Sequence, residues 1–472
     1  MLYVNICLCE IIFGVWSYLF IKTYQLDGYN VPLFLNHTLE FKLAYGDKNR
    51  LVFTKRMIRF LIIFFIFSLG LFILINYFVD NIFLMILDCA IIFLFAPVLI
   101  SICHYLLCPI ESLIKKYYIK KATRVLGKKD IIKIGITGSY GKTSTKNILA
   151  NILGKEYKVC TTPKNFNTEM GVTRAILENL DDHDIFIAEM GAKHKGDIEK
   201  LTKIVKPKYG ILTSIGLQHI ETFKTLKNIE QTKNELPLNL AKGGAMVFNG
   251  DNKSTLKLYQ VFKGNKYLTN QQKGFAYAKN IETSENGSTF DLVIDGKEMK
   301  VFTRLLGNCN IHNIVTASAL AYILGIKEED IISAIKSLTP PPHRLEVIKN
   351  SYSTIIDDSY NSNVVGAREA LEVLSKFRGV KIVVTPGLVE MGAEQSSVNF
   401  KLGGEIADVA DYIIIMNEVN KNYLLSGAIA HNFDKNKIYF ASTRKKQKEI
   451  LQLLMIKGCV ILFENDLPDN YK

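Results

Sequence analysis

Apolar residues fall into two regimes along this chain of 472 residues: long unbroken stretches up to about residue 107, and short runs spaced by amphipathic segments from about 131 onward. The long stretches are 2–21, interrupted by Asn5 and Glu10; 60–79, with no formally charged residue; and 82–107, apolar apart from Asp88 and His104. Each can cross about 30 Å of hydrocarbon as a helix, so three membrane spans are expected. The first has neither the basic leader nor the small-residue cleavage site of a signal peptide and reads as a retained span, with Glu10 packed between helices or near the interface. Beyond 131, apolar runs at 131–136, 185–188, 210–215, 354–357, 380–385, 411–416 and 459–463 alternate with helical patterns. That alternation predicts an α/β fold, parallel sheets with helices on both faces and ligands beyond the C-terminal strand ends. A helical segment at 313–324 and the stiff Pro340-Pro341-Pro342 mark the passage between two α/β halves. The expected domains are a membrane region (1–107), a basic juxtamembrane helix (108–130), a nucleotide-binding central domain (131–305) and a Rossmann-like C-terminal domain (306–472).

Charge gives the membrane region an orientation. The segment 22–59 carries seven Lys and Arg, the turn at 80–81 none, and 108–130 seven more, Lys115 to Lys129. The excess of Lys and Arg faces the cytoplasm, so the N-terminus is expected outside and everything after the third span inside. The net charge of +13 could signal nucleic acid, but many of the basic residues flank apolar segments and no nucleic-acid-binding motif accompanies them, so anionic lipid is the expected partner and nucleic acid is not. The composition is 48% hydrophobic, apolar for a soluble enzyme, and the eight cysteines show no metal-type spacing, which suits a reduced cytoplasmic catalytic portion.

The chemistry starts at 135–146, Gly-Ile-Thr-Gly-Ser-Tyr-Gly-Lys-Thr-Ser-Thr-Lys. An apolar run precedes it and a helical pattern follows, which is the strand–turn–helix context of a phosphate cradle. Gly138 and Gly141 let the backbone approach an anion, Lys142 can reach the β/γ-phosphates, and the Thr143 hydroxyl can ligate Mg²⁺. Ser139 and Ser144 complete the expected ATP contacts, although Ile136 stands where the standard loop has glycine. Glu189 ends the run 185–188 and is placed as a Mg²⁺ ligand would be. His219 follows another strand, and Lys233 lies among carboxylates on a helix. Each of these is weak taken singly; their order and spacing are not.

With these blocks, and with Asn165-Phe166-Asn167-Thr168-Glu169-Met170-Gly171, Asn310, Asn313, Arg344-Leu345-Glu346 and Asp357-Asp358-Ser359-Tyr360-Asn361, the chain from 131 onward resembles the Mur ligase family, in its D-alanyl-D-alanine-adding branch. The resemblance implies ATP-dependent amide ligation through an acyl phosphate, adding D-alanyl-D-alanine to UDP-N-acetylmuramoyl-tripeptide. It also implies that Thr143 and Glu189 hold one Mg²⁺, that Glu189 and His219 help hold a second, and that Lys233 is carbamylated. Asn310 and Asn313 match the region meeting the adenine. Arg344 and Asp358 match residues that reach the nucleotide when the C-terminal domain closes. Asn165, Asn167, Tyr360 and Asn361 match substrate-facing positions. Departures are Cys309 for a usual histidine, Val364 for a proline, Asn399 for a histidine, the altered block Thr385–Gly392, and an N-terminal region in which membrane spans replace the small domain that grips UDP. Other cell-wall synthesis proteins are further expected partners. Two alternatives stand beside this reading: a Mur-like ligase for a lipid-linked or other polymer precursor, and a membrane-anchored P-loop NTPase.

Overall fold

The computed structural model describes residues 2–43, 50–78, 90–163, 166–360 and 362–467, the side chains of 2–9, 76, 78 and 221 excepted. The chain divides into two units, Met1–Tyr118 and Ile119–Lys472.

The first unit is helical. Leu2–Leu26, Val31–Leu39 and Lys55–Phe78 precede the helix Ala96–Gly127, whose later turns belong to the second unit. Its interior is aromatic, with Phe13 stacked on Phe64 at 5.5 Å between ring centroids and edge-on to Phe72 at 5.8 Å. Glu10, costly in hydrocarbon, is buried between helices, and Ser68 Oγ donates to its Oε1 at 2.6 Å. Two described helices are long and apolar enough to cross a membrane, over Lys55–Ile75 and Ala96–Gly127, with mean hydropathies of 2.8 and 1.6. They carry most of the second expected span and part of the third; residue 79 of the second and 82–89 of the third lie outside the described residues. The first expected span forms a helix but is not one of these two.

In the second unit, nine described strands form one sheet: β1 (Ile132–Thr137), β2 (Val159–Thr161), β3 (Ile185–Glu189), β4 (Tyr209–Leu212), β5 (Ala245–Asn249), β6 (Asn265–Thr269), β7 (Ala276–Ser284), β8 (Gly287–Ile294) and β9 (Lys297–Thr303), in the order β2-β3-β1-β4-β5-β6-β7-β8-β9. β2 to β7 pair parallel and β7-β8-β9 antiparallel. A second sheet holds β10 (Glu346–Lys349), β11 (Ser353–Asp358), β12 (Lys381–Thr385), β13 (Tyr412–Met416), β14 (Ile438–Ala441) and β15 (Cys459–Glu464), in the order β10-β11-β15-β12-β13-β14, parallel except for β10. All seven apolar runs read from the sequence are strands here, because strands buried on both faces by helices are apolar throughout.

The helices Asn308–Ile323 and Glu328–Ser337 pack into the core of the nine-stranded sheet, through Ile311, Ile314, Leu320, Ile331 and Ile335. The sequence boundary at 305/306 therefore precedes two helices of the central core, and the chain leaves that core at Leu338, just before the three prolines. The C-terminal core gathers Ile356, Leu371, Val383, Leu402, Ile413 and Leu462. Within it the helices Gln395–Ala407 and Lys421–Ala430 approach backbone to backbone, since a Cβ on Gly427 would strike the Phe400 carbonyl. Overpacking of this kind costs about 1–3 kcal/mol. Gly427→Ala should lower the thermal midpoint by several degrees, read by calorimetry; an unchanged midpoint would show that the helices separate freely.

Candidate active site

Three strands end at one place. β1 leads into the loop 138–141, β3 delivers Glu189 beside it, and β4 leads into Thr213 and Ser214. Gly138 and Gly141 have φ of 151° and 78°. Gly141 caps the helix Lys142–Leu153, where a side chain would strike Asn313 Oδ1 at 2.6 Å. The loop is strapped from behind: Ser139 N donates to the Ser214 carbonyl at 2.6 Å, Thr213 Oγ1 to the Tyr140 carbonyl at 2.5 Å, and Gly216 N to Ser139 Oγ at 3.0 Å. Lys142 Nζ curls back to donate to the carbonyls of Gly138 at 2.7 Å and Ser139 at 2.9 Å. Burial brings its ammonium down to about 8; Glu189 pulls the other way and Arg344, from the C-terminal half, adds to the fall.

Glu189 is 1% exposed. Its Oε2 accepts from Thr143 Oγ1 at 2.9 Å and from Lys146 Nζ at 3.2 Å, its Oε1 from Asn167 Nδ2 at 3.1 Å, and its backbone N donates to Thr162 Oγ1 at 3.1 Å. Burial alone would raise this carboxyl, but Lys146, Lys142 and the Asn167 and Thr143 hydrogen bonds hold it below the ordinary carboxylate value. Thr143, Glu189 and Asn167, joined in the sequence only by order, thus meet. Lys146, a buried cation inside the helix, was not read from the sequence; four residues on from Lys142, it lies on the same side of that helix and signals the inner face.

Lys233 ends the helix Leu226–Lys233 and is buried, and no hydrogen bond or ion pair to its Nζ forms among the described residues. Burial first and the Lys142 charge second depress its ammonium well below the ordinary lysine value. His219, with φ 54°, reaches the C-terminal half instead of Glu189: its Nδ1 hydrogen-bonds Glu390 Oε2 at 2.7 Å. That hydrogen bond, ahead of the opposing effect of burial, holds the Glu390 carboxyl below its ordinary value. Glu390 lies in the altered block and was not anticipated.

Asn313 Oδ1 accepts from Thr145 Oγ1 at 3.1 Å and so lies against the phosphate loop, whereas Asn310 Nδ2 is spent on the Leu306 carbonyl at 2.8 Å. Ser144 is buried in the first turn of the loop helix. Arg344 stacks over the Tyr360 ring, 4.7 Å from its centroid. Asp358 Oδ1 accepts from Leu345 N at 3.1 Å, and burial pushes its carboxyl up to about 6 against the pull of that hydrogen bond and of Arg344. Asn165 and Asn361 lie outside the described residues.

Behind Asp358, on the paired strand β15, Glu464 is buried, with Ser362 Oγ donating to one oxygen and Thr385 Oγ1 to the other at 3.3 Å. Burial pushes its carboxyl up to about 8. Between the ordinary 4.5 and that value the native state holds a proton that the unfolded chain releases, so stability falls as pH rises through the window. Glu464→Gln keeps a neutral group there. Denaturant titrations at about pH 6 and about pH 8.5 should show wild type losing more stability than this variant; equal losses would mean that Glu464 does not titrate in that window.

The comparisons with known proteins agree with this geometry. The Mur ligase middle domain matches residues 136–321. A UDP-N-acetylmuramoyl-tripeptide–D-alanyl-D-alanine ligase of Buchnera aphidicola is 29% identical over 362 residues, covering 74% of this chain and 79% of its own length. The Bacillus subtilis enzyme of that name is 28% identical over 359 residues, 75% of this chain and 76% of its own. Among solved structures, MurF from Acinetobacter baumannii matches with a TM-score of 0.69 at 25% identity, over 75% of this chain and 77% of that one. MurF ligase from Thermotoga maritima in complex with ADP matches at 0.68 and 26%, over 75% and 80%.

Proposed function

The chain belongs to the Mur ligase family, and from that premise we propose that it is an ATP-dependent amide ligase of peptidoglycan precursor synthesis, joining D-alanyl-D-alanine to UDP-N-acetylmuramoyl-tripeptide. The observation that carries the proposal is the convergence, beneath the loop 138–141, of Thr143, Glu189 and Asn167, with Arg344 near enough to bias Lys142. An NTPase needs the loop and its carboxylate, but gains nothing from a second α/β half brought against them.

In this account the loop amides and Lys142 hold the ATP phosphates, and Asn313 behind Gly141 fixes the loop. The substrate carboxylate attacks the γ-phosphorus, ADP leaves, and an acyl phosphate forms. The D-alanyl-D-alanine amine then attacks the acyl carbon, phosphate leaves and the amine loses a proton. Arg344, Asp358 and Glu390, the last held by His219 of the central half, belong to a C-terminal half that shields the acyl phosphate from water. By the family resemblance, Asn167 and Tyr360, with Asn165 and Asn361 outside the described residues, are assigned to the substrates, and Asn310 and Asn313 to the nucleotide.

The hard oxygens of Thr143 and Glu189, 2.9 Å apart, suit Mg²⁺, which when bound neutralises charge on the transferring phosphoryl group. His219, its Nδ1 engaged by Glu390, has Nε2 left for a second ion. Lys233, its ammonium disfavoured by burial, is suited to carbamylation: the deprotonated Nζ attacks carbon dioxide, a proton is released to solvent, and a cation's site becomes an anion's. The apolar helices seat the chain on a membrane, N-terminus outside and catalytic halves in the cytoplasm.

Full-length protein with ATP, the UDP-linked tripeptide and D-alanyl-D-alanine should release ADP and amide product in equal amounts; ADP release indifferent to both acceptor substrates would overturn the assignment. Lys142→Ala should cut turnover by two or more orders of magnitude, roughly the loss of one preorganised charge at the phosphates. Lys233→Ala should be inactive and partly restored by short carboxylates such as formate; activity that no carboxylate restores would remove the carbamate from the account.

A further inference from the structure

An open cleft of about 560 Å³ lies in the second unit, where the last turns of Ala96–Gly127 meet the helices Glu169–Asn179 and Asp197–Val205. Nothing in the ligase account uses it. Lys120, Arg124, Lys200 and Lys203 line it, with Ile119 and Ile204 as its apolar wall and Glu169 as the one acidic side chain of the lining. The cations are not equally engaged. Lys203 holds Glu199 at 2.6 Å and Lys200 holds Asp197 at 3.4 Å, both exposed pairs of the kind that exchange readily. Lys120 and Arg124, one turn apart on a single helix face, form no ion pair among the described residues.

We propose that this cleft binds the phosphate of an anionic phospholipid headgroup, with Lys120 and Arg124 on the phosphate oxygens, Lys200 and Lys203 at the rim, and Ile119 and Ile204 against the glycerol and the root of the acyl chains. Three observations select that ligand. An Arg–Lys pair matches the oxygens of a phosphate, the guanidinium by its fork and the ammonium as a point charge. Apolar wall beside cationic floor suits an amphiphile, where a free anion would be better held by backbone amides. The helix that supplies Lys120 and Arg124 also carries an apolar segment long enough to span a membrane, and the sequence just past that segment holds Lys115, Lys116, Lys120, Lys121 and Arg124, the juxtamembrane arrangement that anionic leaflets attract. The inference rests on the membrane-seated reading of the chain and is independent of which amide the enzyme makes.

The test is native mass spectrometry of the full-length chain in neutral detergent, titrated separately with phosphatidylglycerol, phosphatidylcholine, inorganic phosphate and UDP. Wild type should retain one phosphatidylglycerol in preference to phosphatidylcholine. Lys120→Gln with Arg124→Gln should weaken that retention about 30-fold, roughly a factor of five for each cation near a headgroup. Lys200→Gln with Lys203→Gln should weaken it by less, and serves alone if the first pair fails to fold. ATP-dependent turnover in lipid-free detergent should be the same in every variant, which separates failure of this site from failure of the ligase. Equal retention by wild type and both pairs would overturn the proposal, and so would displacement of the lipid by inorganic phosphate or UDP, which would assign the cleft to a soluble phosphate.

Discussion

Glu189 is a carboxylate with 1% of its surface exposed, and it stays charged there because two cations and two hydrogen-bond donors surround it. An unpaired charge in that position would cost several kcal/mol or take up a proton. The remedy ties together pieces of chain far apart in sequence: Lys146 and Thr143 from the loop helix and Asn167 from the segment before the next helix, while Thr162, just past β2, accepts from the Glu189 backbone N. The parallel register of β1 and β3 sets Glu189 opposite Ile136, one turn of chain below the phosphate loop. Displace the carboxylate and the buried Lys146 loses its salt bridge to it.

The same site explains why a second α/β half lies where it does. The C-terminal sheet brings Arg344 close enough to weigh on Lys142, sets Glu390 against His219, and places Glu369 Oε2 as an acceptor for Cys309 N at 3.2 Å, at the start of the helix that carries Asn310 and Asn313. These contacts are polar, and the chain passes between the halves through the prolines at 340–342. Most of the apolar surface holding each half together stays in its own core, while Leu306 of the central half is buried in the C-terminal one.

How much of this could be read beforehand follows from which physical signals are local. The phosphate loop is legible because glycine spacing, a strand before and a helix after all lie within a dozen residues. Parallel strands are legible as unbroken apolar runs. The antiparallel arm β7–β9 is not, because β7 lies half in solvent and its polar positions read as loop. Lys146 and Glu464 escape for another reason: a charged residue in a helix, or near a chain end, reads as solvated until the fold buries it; Glu390 lies in a loop, where a carboxylate reads as solvated and its partner His219 is far away in sequence. Lys233 is equally silent by itself, and only family order drew attention to it. Nor does the sequence announce the local partner of Asn310, whose amide donates to the Leu306 carbonyl.

The central claim, that Glu189 is the anchor through which the loop takes up a metal–nucleotide complex, is tested most directly by calorimetric titration of the full-length chain with a non-hydrolysable ATP analogue, with and without Mg²⁺. Wild type should bind about tenfold or more tightly with Mg²⁺, the scale of one charge-assisted ligand, and Glu189→Gln should lose that gain while keeping its metal-free affinity. An undiminished Mg²⁺ gain in Glu189→Gln would contradict the account.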